Sequence, residues 1–297
     1  MNYICLDIGG TAIKYGVADE TGTLALKDSY PNEIVETGAD HFLEKLVSVT
    51  NGLKKEYDLQ GIAVSTAGVV NPHTGEILYA PVYFPGYVGI NLCERLERSC
   101  GLPCTVENDV NAAALGEYWL GAGRGAKSLF CITVGTGIGG CAIFNGEVIH
   151  GASYCAGEAG LQHINTEGTW EAIASTSALI RNVARRKGLP VTELDGRKIF
   201  AMAQDGDTDA VDAIDRLLEN LAAGIANICY ILNPERIIIG GGIMTQEQYL
   251  YPRLDAALRS KLLPLVYEKT ILRFAVLKND AGLVGALYNF LKKKTKL

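Results

Sequence analysis

The chain has 297 residues, 48% of them apolar, which is enough for two domains of ordinary size with proper cores. Its formal net charge of −6, from 27 basic and 33 acidic side chains, excludes the electrostatic footprint of a nucleic-acid-binding protein. No apolar run is long enough to span a membrane, no secretory leader is visible, and eight scattered cysteines form no Cys-x-x-Cys pair, so reduced, mostly buried thiols in a cytoplasmic protein are expected.

Asn2 to Ile8, then Gly9-Gly10-Thr11, then Ala12 to Ala18 and the stretch after Gly22 read as a strand, a glycine turn and two further strands, a β-meander rather than a βαβ start. A helix is predicted over Ala39 to Tyr57, with Phe42, Leu43, Leu46, Val47, Val49 and Leu53 as its apolar stripe. Gly61-Ile-Ala-Val-Ser65 reads as a buried strand, and Asn91 to Cys100 as a short helix. The strand Cys104 to Val106 leads to a polar tip, Glu107-Asn108-Asp109, and an Ala-rich helix over Asn111 to Leu120.

Leu129 to Val134 is a second opening strand, Gly135 to Gly140 a turn, and Cys141 to Ile149 a hairpin on Asn145-Gly146, a pair suited to a type I′ turn. The strand-turn-strand opening therefore occurs twice, which predicts two related lobes. The expected division is 1–118, completed by the C-terminal helix 281–297, against 119–280. Apolar residues from Val211 to Ile228 recur at helical spacing and predict one long helix over Asp209 to Leu232, ended by Asn233-Pro234. A strand over Arg236 to Ile239 runs into Gly240-Gly241-Gly242, and Ala281 to Lys292 closes the chain as a helix. Lys292, Lys293, Lys294 and Lys296 read as its solvated end.

Asp7-Ile-Gly9-Gly10-Thr11 places glycines where backbone N–H groups can approach an anion, with Thr11 as a further donor. The alternative is an ordinary hairpin turn with an incidental carboxylate. Gly135-Thr136-Gly137-Ile138-Gly139-Gly140 matches Gly-x-Gly-x-x-Gly, but a dinucleotide site needs those glycines to open a helix. Here an apolar hairpin follows, which argues against a nicotinamide cofactor. Two glycine turns, one per lobe, suit a triphosphate better, with Gly240-Gly241-Gly242 as a third close approach or as a turn needed only for packing.

In combination, Asp7-x-Gly-Gly-Thr11, Glu107-Asn108-Asp109-x-Asn111-Ala-Ala-Ala-Leu-Gly-Glu117, Gly135-Thr-Gly-Ile-Gly-Gly140 and Ala156-Gly-Glu158-x-Gly160 resemble the ROK family of sugar kinases and sugar-responsive repressors. The matches run in family order over essentially the whole chain. The resemblance implies an α/β, duplicated actin-like, hexokinase-type fold of two lobes, with ATP and sugar bound in the interlobe cleft. It implies Asp7, Gly9, Gly10 and Thr11 as a first phosphate loop, Gly135, Thr136 and Gly137 as a second, and Gly240 and Gly241 near adenosine. Asn108, Asp109 and Glu158 would contact sugar hydroxyls, Gly68 would lie in a loop lining the sugar pocket, and Asp109 would be the catalytic base. Asp7 would orient Mg²⁺ through water.

Many family members carry a histidine after Gly-Glu-x-Gly and then a cysteine-rich loop, which together bind a structural zinc. This chain has Leu161 at the histidine position, and only thirteen positions separate Glu158 from Glu171. The loop is missing, so no zinc is expected, and the chain resembles the zinc-free branch that includes β-glucoside kinases and some N-acetylmannosamine kinases. Gly168-Thr169-Trp170-Glu171 still resembles the family segment, with Thr169 in place of a zinc cysteine and Glu171 as a sugar ligand. His163 is either a substitute sugar contact or an exposed loop histidine.

The expected activity is phosphoryl transfer from ATP to a hexose or hexose derivative, at the 6-hydroxyl, with Asp109 accepting the proton. The competing expectation is a sugar-sensing regulator of the same family without catalysis. Such proteins carry a helix-turn-helix before the kinase-like region, for which Asp7 leaves no room. The resemblance also suggests a homodimer or homotetramer.

Overall fold

A computed structural model of the chain describes residues 1–295; Lys296, the last of the lysine cluster, lies outside them. The chain divides into two compact units, residues 1–124 with 150–155 and 279–297, and residues 125–149 with 156–278.

In unit 1 the chain forms β1 (Asn2–Ile8), β2 (Ala12–Asp19), β3 (Leu24–Pro31), α1 (Ile34–Leu53) and β4 (Leu59–Thr66). A short hairpin, β5 (Val69–Val70) and β6 (Ile77–Tyr79), precedes α2 (Leu92–Cys100), β7 (Cys104–Asn108) and α3 (Asp109–Leu120). In unit 2 come β8 (Ser128–Val134), β9 (Ile138–Phe144), β10 (Glu147–Val148), the hairpin β11 (His163–Asn165) and β12 (Gly168–Thr169), α4 (Trp170–Ala174), α5 (Thr176–Lys187) and α6 (Gly196–Gln204). The long α7 (Thr208–Leu232) is followed by β13 (Arg236–Gly240), α8 (Glu247–Lys261), α9 (Pro264–Lys269) and β14 (Ile271–Phe274). The last element, α10 (Ala281–Thr295), belongs to unit 1.

The sheet of unit 1 has the order β3-β2-β1-β4-β7, with β2 antiparallel to β1 and β3, and β4 and β7 parallel to β1. The sheet of unit 2 has the order β10-β9-β8-β13-β14 with the same pattern of directions. The duplication expected from two glycine turns is thus a duplication of the whole five-stranded topology.

Helices cover both faces of the first sheet, which is why β1 is buried from Tyr3 to Ile8 and reads as a continuous apolar run. Its alternate residues sort to the two faces. Ile4, Leu6 and Ile8 join a core with Phe42 and Leu46 of α1 and Leu92 and Leu96 of α2. Tyr3 and Cys5 pack with Leu283, Leu287 and Phe290 of α10. The same period carries Asp7 to the α10 face. There the first turn of the helix meets it, because a Cβ added to Gly282 would stand 2.7 Å from the Asp7 carboxyl carbon.

Against α10 lies α3, and their backbones touch. A Cβ on Gly285 would fall 1.6 Å from the Ala112 carbonyl oxygen, and one on Gly116 2.5 Å from that of Ala281. The small residues of Ala112 to Gly116 therefore serve interhelical approach, and they explain an Ala-rich stretch that propensity alone describes only as helical.

In unit 2 the amphipathic α7 carries the core, with Ile214, Leu217, Leu221, Ile225 and Ile228 buried on one side. Asp207 caps its N-terminus by accepting from the Ala210 N–H at 3.0 Å, worth about 1 kcal/mol, and Asn233 ends it in the left-handed region at φ 45°. Trp170 is fully buried above Gly224 and donates Nε1–H to the Asn220 carbonyl at 3.0 Å.

Several expectations are corrected. The strand after Cys104 runs on through Glu107 and Asn108, and the helix begins at Asp109, so the polar tip is a strand-to-helix junction and not a loop. The second glycine turn ends at Gly137, and Gly139 and Gly140 lie within β9. Gly140 is needed there because an added Cβ would meet the Phe130 ring at 2.7 Å and the Gly157 carbonyl at 2.8 Å. The first helix starts earlier than Ala39 but is broken at Gly38, φ 81°. Lys293 is not solvated; it is partly buried and donates to the Pro72 carbonyl at 2.6 Å. Asn145 and Gly146 both take positive φ, 50° and 77°, as a type I′ turn requires. Of the eight free cysteines six are buried, while Cys93 is intermediate and Cys155 exposed.

Candidate active site

The end of β1 places three strands side by side. Asp7 pairs with Lys14 across β2 and with Ser65 across β4, so all three side chains share one face. Ser65 Oγ donates to Asp7 Oδ1 at 2.7 Å and Lys14 Nζ donates to Oδ2 at 3.1 Å, which compensates a carboxylate only 9% exposed. Beyond it the β1–β2 turn closes through Gly9 N–H to the Ala12 carbonyl at 3.1 Å, and Asn32 Nδ2 braces the Gly9 carbonyl at 2.8 Å. Gly10 and Thr11 are left exposed at the tip. The Tyr83 ring lies against Gly10, where an added Cβ would come within 2.9 Å of it.

The junction of β7 and α3 carries the next group. Asn108 is the N-cap of α3: its Oδ1 accepts from the N–H groups of Val110 at 2.9 Å and Asn111 at 3.1 Å. Its Nδ2 donates to the Gly68 carbonyl at 3.0 Å and to Asp109 Oδ1 at 2.9 Å. Both acceptor and both donor positions of the amide are thereby occupied. Asn108 is the clamp that joins the Gly68 loop, the helix start and Asp109, and a sugar hydroxyl reaches it by exchanging with one of these bonds. Gly68 itself stands at φ 96° with the Tyr79 carbonyl 2.4 Å from where a Cβ would be. Only glycine fits there.

Asp109 occupies the first position of α3 and is partly buried. Burial of its carboxyl, followed by the charge of Asp7, pushes it from 3.8 up to about 7, against the opposing hydrogen bonds from the Val110 and Asp109 N–H groups and from Asn108. Helix capping falls to Asn108, so Asp109 is not required for it. The preceding residue, Glu107, is buried and bonded to His150 at 3.0 Å, to Asn111 Nδ2 at 3.0 Å and to the Asn108 N–H at 3.0 Å. Burial works to raise Glu107, but these partners leave it below its ordinary value.

In unit 2 the β8–β9 turn closes through Gly135 N–H to the Gly137 carbonyl at 2.9 Å, and Thr136 is exposed at its tip. The start of α5 anchors the turn, with Thr176 N–H donating to the Gly135 carbonyl at 2.9 Å. The third glycine run lies directly beside it, for a Cβ on Gly241 would stand 2.1 Å from the Val134 carbonyl oxygen. Glu171, at the start of α4, brings its carboxylate to the same turn: Ile138 N–H donates to Oε2 at 3.4 Å, and the Gly137 and Gly160 Cα positions are crowded by it. Glu158 is raised above the ordinary carboxylate range, first by desolvation of its carboxyl and then by the charge of Glu171.

Within each unit, then, the expected residues gather. Asp7, Gly9, Gly10, Thr11, Gly68, Asn108 and Asp109 gather in the first, and Gly135, Thr136, Gly137, Glu158, Glu171, Gly240 and Gly241 in the second. His163 is exposed in β11, opposite Thr169 of β12, on the hairpin that spans the shortened loop. Among the described residues, no group of three or more His, Cys, Asp or Glu side chains is arranged to hold a metal ion. Sequence reasoning missed Lys14, Tyr83, Thr176 and His150. Of these only Lys14 had a usable signal, the register of a tight hairpin.

The ROK family model matches residues 3–293, and the chain belongs to that family. It is 34% identical over 303 residues to a β-glucoside kinase of Listeria monocytogenes, covering 100% of this chain and 99% of that protein. Among solved structures, the ROK hexokinase of Thermus thermophilus superposes with a TM-score of 0.84 at 30% identity, over 99% of this chain and 100% of the other. The ROK glucokinase of Streptomyces griseus, solved with glucose and AMPPNP, gives 0.82 at 29% identity, over 97% and 98%. The fold is accordingly the duplicated, actin-like fold of the hexokinase type. No helix among the described residues is long and apolar enough to cross a membrane.

Proposed function

We propose that this protein transfers the γ-phosphoryl group of ATP to the 6-hydroxyl of a hexose or hexose derivative, of the glucose, β-glucoside or N-acetylmannosamine type. The observation that carries the reading is Asp109, a carboxyl raised to about 7 at a strand-to-helix junction, in the same unit as a glycine turn whose tip residues Gly10 and Thr11 are exposed. A base whose proton affinity matches the working pH takes up the hydroxyl proton most effectively in the transition state.

In this reading Asp109 accepts that proton as the sugar oxygen forms its bond to the γ-phosphorus and the bond from phosphorus to the β,γ-bridging oxygen breaks, releasing ADP. With the Gly9 and Gly135 N–H groups spent on closing the two turns, Gly10 and Thr11 of unit 1, and Thr136 and Gly137 of unit 2, offer backbone and hydroxyl donors to phosphate oxygens. Gly240 and Gly241 are assigned to the nucleoside. Asn108, Glu158 and Glu171 take the remaining sugar hydroxyls, with Gly68 shaping the loop beside them. Both oxygens of Asp7 are engaged by Ser65 and Lys14, which fits a carboxylate that holds Mg²⁺ through metal-bound water. When bound, that ion would neutralise charge on the β- and γ-phosphates. The free state of all eight cysteines supports a reducing, cytoplasmic setting.

A coupled assay of ADP release with Mg·ATP across a panel of glucose, β-glucosides, N-acetylmannosamine and other hexoses tests the proposal. Turnover of at least one sugar is expected. Folded protein that turns over none overturns it, and calorimetric sugar binding without turnover would establish the sensor reading instead.

A further inference from the structure

The junction that carries Asp109 is tied from behind by a distant part of the chain. Between Ile149 and Ala156 the chain leaves unit 2, and residues 150–155 pack within unit 1. This strap carries His150, whose Nε2 lies 3.0 Å from Glu107 Oε2. Glu107 is 1% exposed and held below the ordinary range despite its burial, so it is ionised and can only accept. The proton between the two therefore belongs to Nε2. The other oxygen, Oε1, receives the Asn108 N–H and Asn111 Nδ2, each at 3.0 Å.

The strap is fixed in turn by Tyr154, whose ring lies 6.3 Å from that of His150 and 6.2 Å from that of His73, edge-on to both. The partly buried Lys293, on α10, also faces Glu107: burial lowers its ammonium group and the Glu107 charge opposes this. Lys293 Nζ spends a donor on the Pro72 carbonyl, and of these two side chains it is His150 that is hydrogen-bonded to Glu107.

A buried carboxylate that loses its hydrogen-bonded partner is driven to take up a proton or turn toward water. If Glu107 turned, Oε1 would release the Asn108 N–H and the Asn111 amide together, and these hold the clamp that aims Asp109. We propose that His150 is a positioning residue for phosphoryl transfer: through Glu107 it fixes the Asn108 amide and the first turn of α3, and hence the direction of the Asp109 carboxylate. The inference rests on the kinase reading for its kinetic consequence and on geometry alone for its structural one.

The test uses full-length wild type, His150→Ala and His150→Gln, the last keeping an N–H donor that reaches Glu107. Hydrogen exchange in the ligand-free protein should show amides 108–111 exchanging at least about tenfold faster in H150A and within about threefold of wild type in H150Q. In steady state, H150A should lose about 10- to 100-fold in kcat with the KM for ATP within about twofold, and H150Q should recover most of the loss. Unchanged exchange in H150A overturns the proposal, as does H150Q no better than H150A, or kcat and the ATP KM failing together as they would in a loosened fold. Should H150A not fold, His150→Asn, whose amide is too short to reach Glu107, replaces it with the same expected results. Wild-type protein that turns over no sugar defeats the kinase reading, and the exchange result still decides the role of His150.

Discussion

Replacing Asp109 by Asn separates chemistry from architecture. The Asn oxygen can still accept from the Val110 N–H and from Asn108 Nδ2, which Asp109 Oδ1 now does at 3.0 Å and 2.9 Å. Asn108 remains the cap of α3. Sugar affinity measured by calorimetry should therefore stay within about threefold, while loss of the base lowers turnover about 10²- to 10⁴-fold, or roughly 3 to 5 kcal/mol of barrier. Stability should move the other way. A carboxyl raised from 3.8 to about 7 in the folded state favours its neutral form there, so the native state loses stability as pH rises from about 4 through 7 and the charge is forced on it. At about 1.4 kcal/mol per pH unit the ceiling is about 4 kcal/mol, and partial exposure of Asp109 reduces the expected value to about 1 to 2 kcal/mol. D109N, which has no charge to bury, should unfold at a higher temperature than wild type at pH 8. The two curves should converge near pH 4. A D109N protein that keeps more than about a tenth of wild-type turnover, or is less stable than wild type at pH 8, refutes the reasoning.

The pH dependence of kcat/KM follows from the same carboxyl: with Asp109 required in its ionised form, activity should climb through a midpoint near 7. A profile flat from about pH 5.5 to 8.5 would mean that another group is the base. Elemental analysis of the purified protein should find no stoichiometric zinc, and chelator should leave the melting temperature unchanged, since the family resemblance puts Leu161 and Thr169 at positions where other members carry zinc ligands. About one zinc per chain would contradict this.

Much of the fold was legible because its local signals agree. The two glycine turns, the Asn145-Gly146 hairpin and the long helix ended by Asn233-Pro234 each combine a period with its stop signal, and each appears in the structure within a few residues. Lys14 was within reach of the same reasoning: a hairpin closing at Ile8 and Ile13 forces Asp7 opposite Lys14. The start of α3 was misplaced because Asn108 and Asp109 are both good cap residues, and local chemistry does not say which of them caps. The role of His150 lay out of reach for a different reason. It meets Glu107 across 43 positions of sequence, and neither period nor propensity carries information over that distance. The segments forming α5 and α6 carried start signals that went unread, Ser175 and Asp195 as N-caps, and α5 also a stop at Gly188, whereas α8 lacks a side-chain cap and contains Pro252, so tertiary packing rather than local pattern determines α8.

The close seating of α10 on α3 and on the β1 face has a consequence in time. Leaving the ribosome, the strands of unit 1 are made well before the cover for Tyr3, Cys5 and Ala63, which is Leu283, Leu287 and Phe290 on the far side of unit 2 in sequence. Unit 2 has all its parts once Lys278 has emerged. On this layout the usual N-terminal-first order of domain folding is expected to be reversed, unit 2 completing its fold before unit 1. Until α10 has emerged, one face of the unit 1 sheet lacks its cover, and a product truncated before Ala281 is expected to leave Tyr3, Cys5 and Ala63 bare.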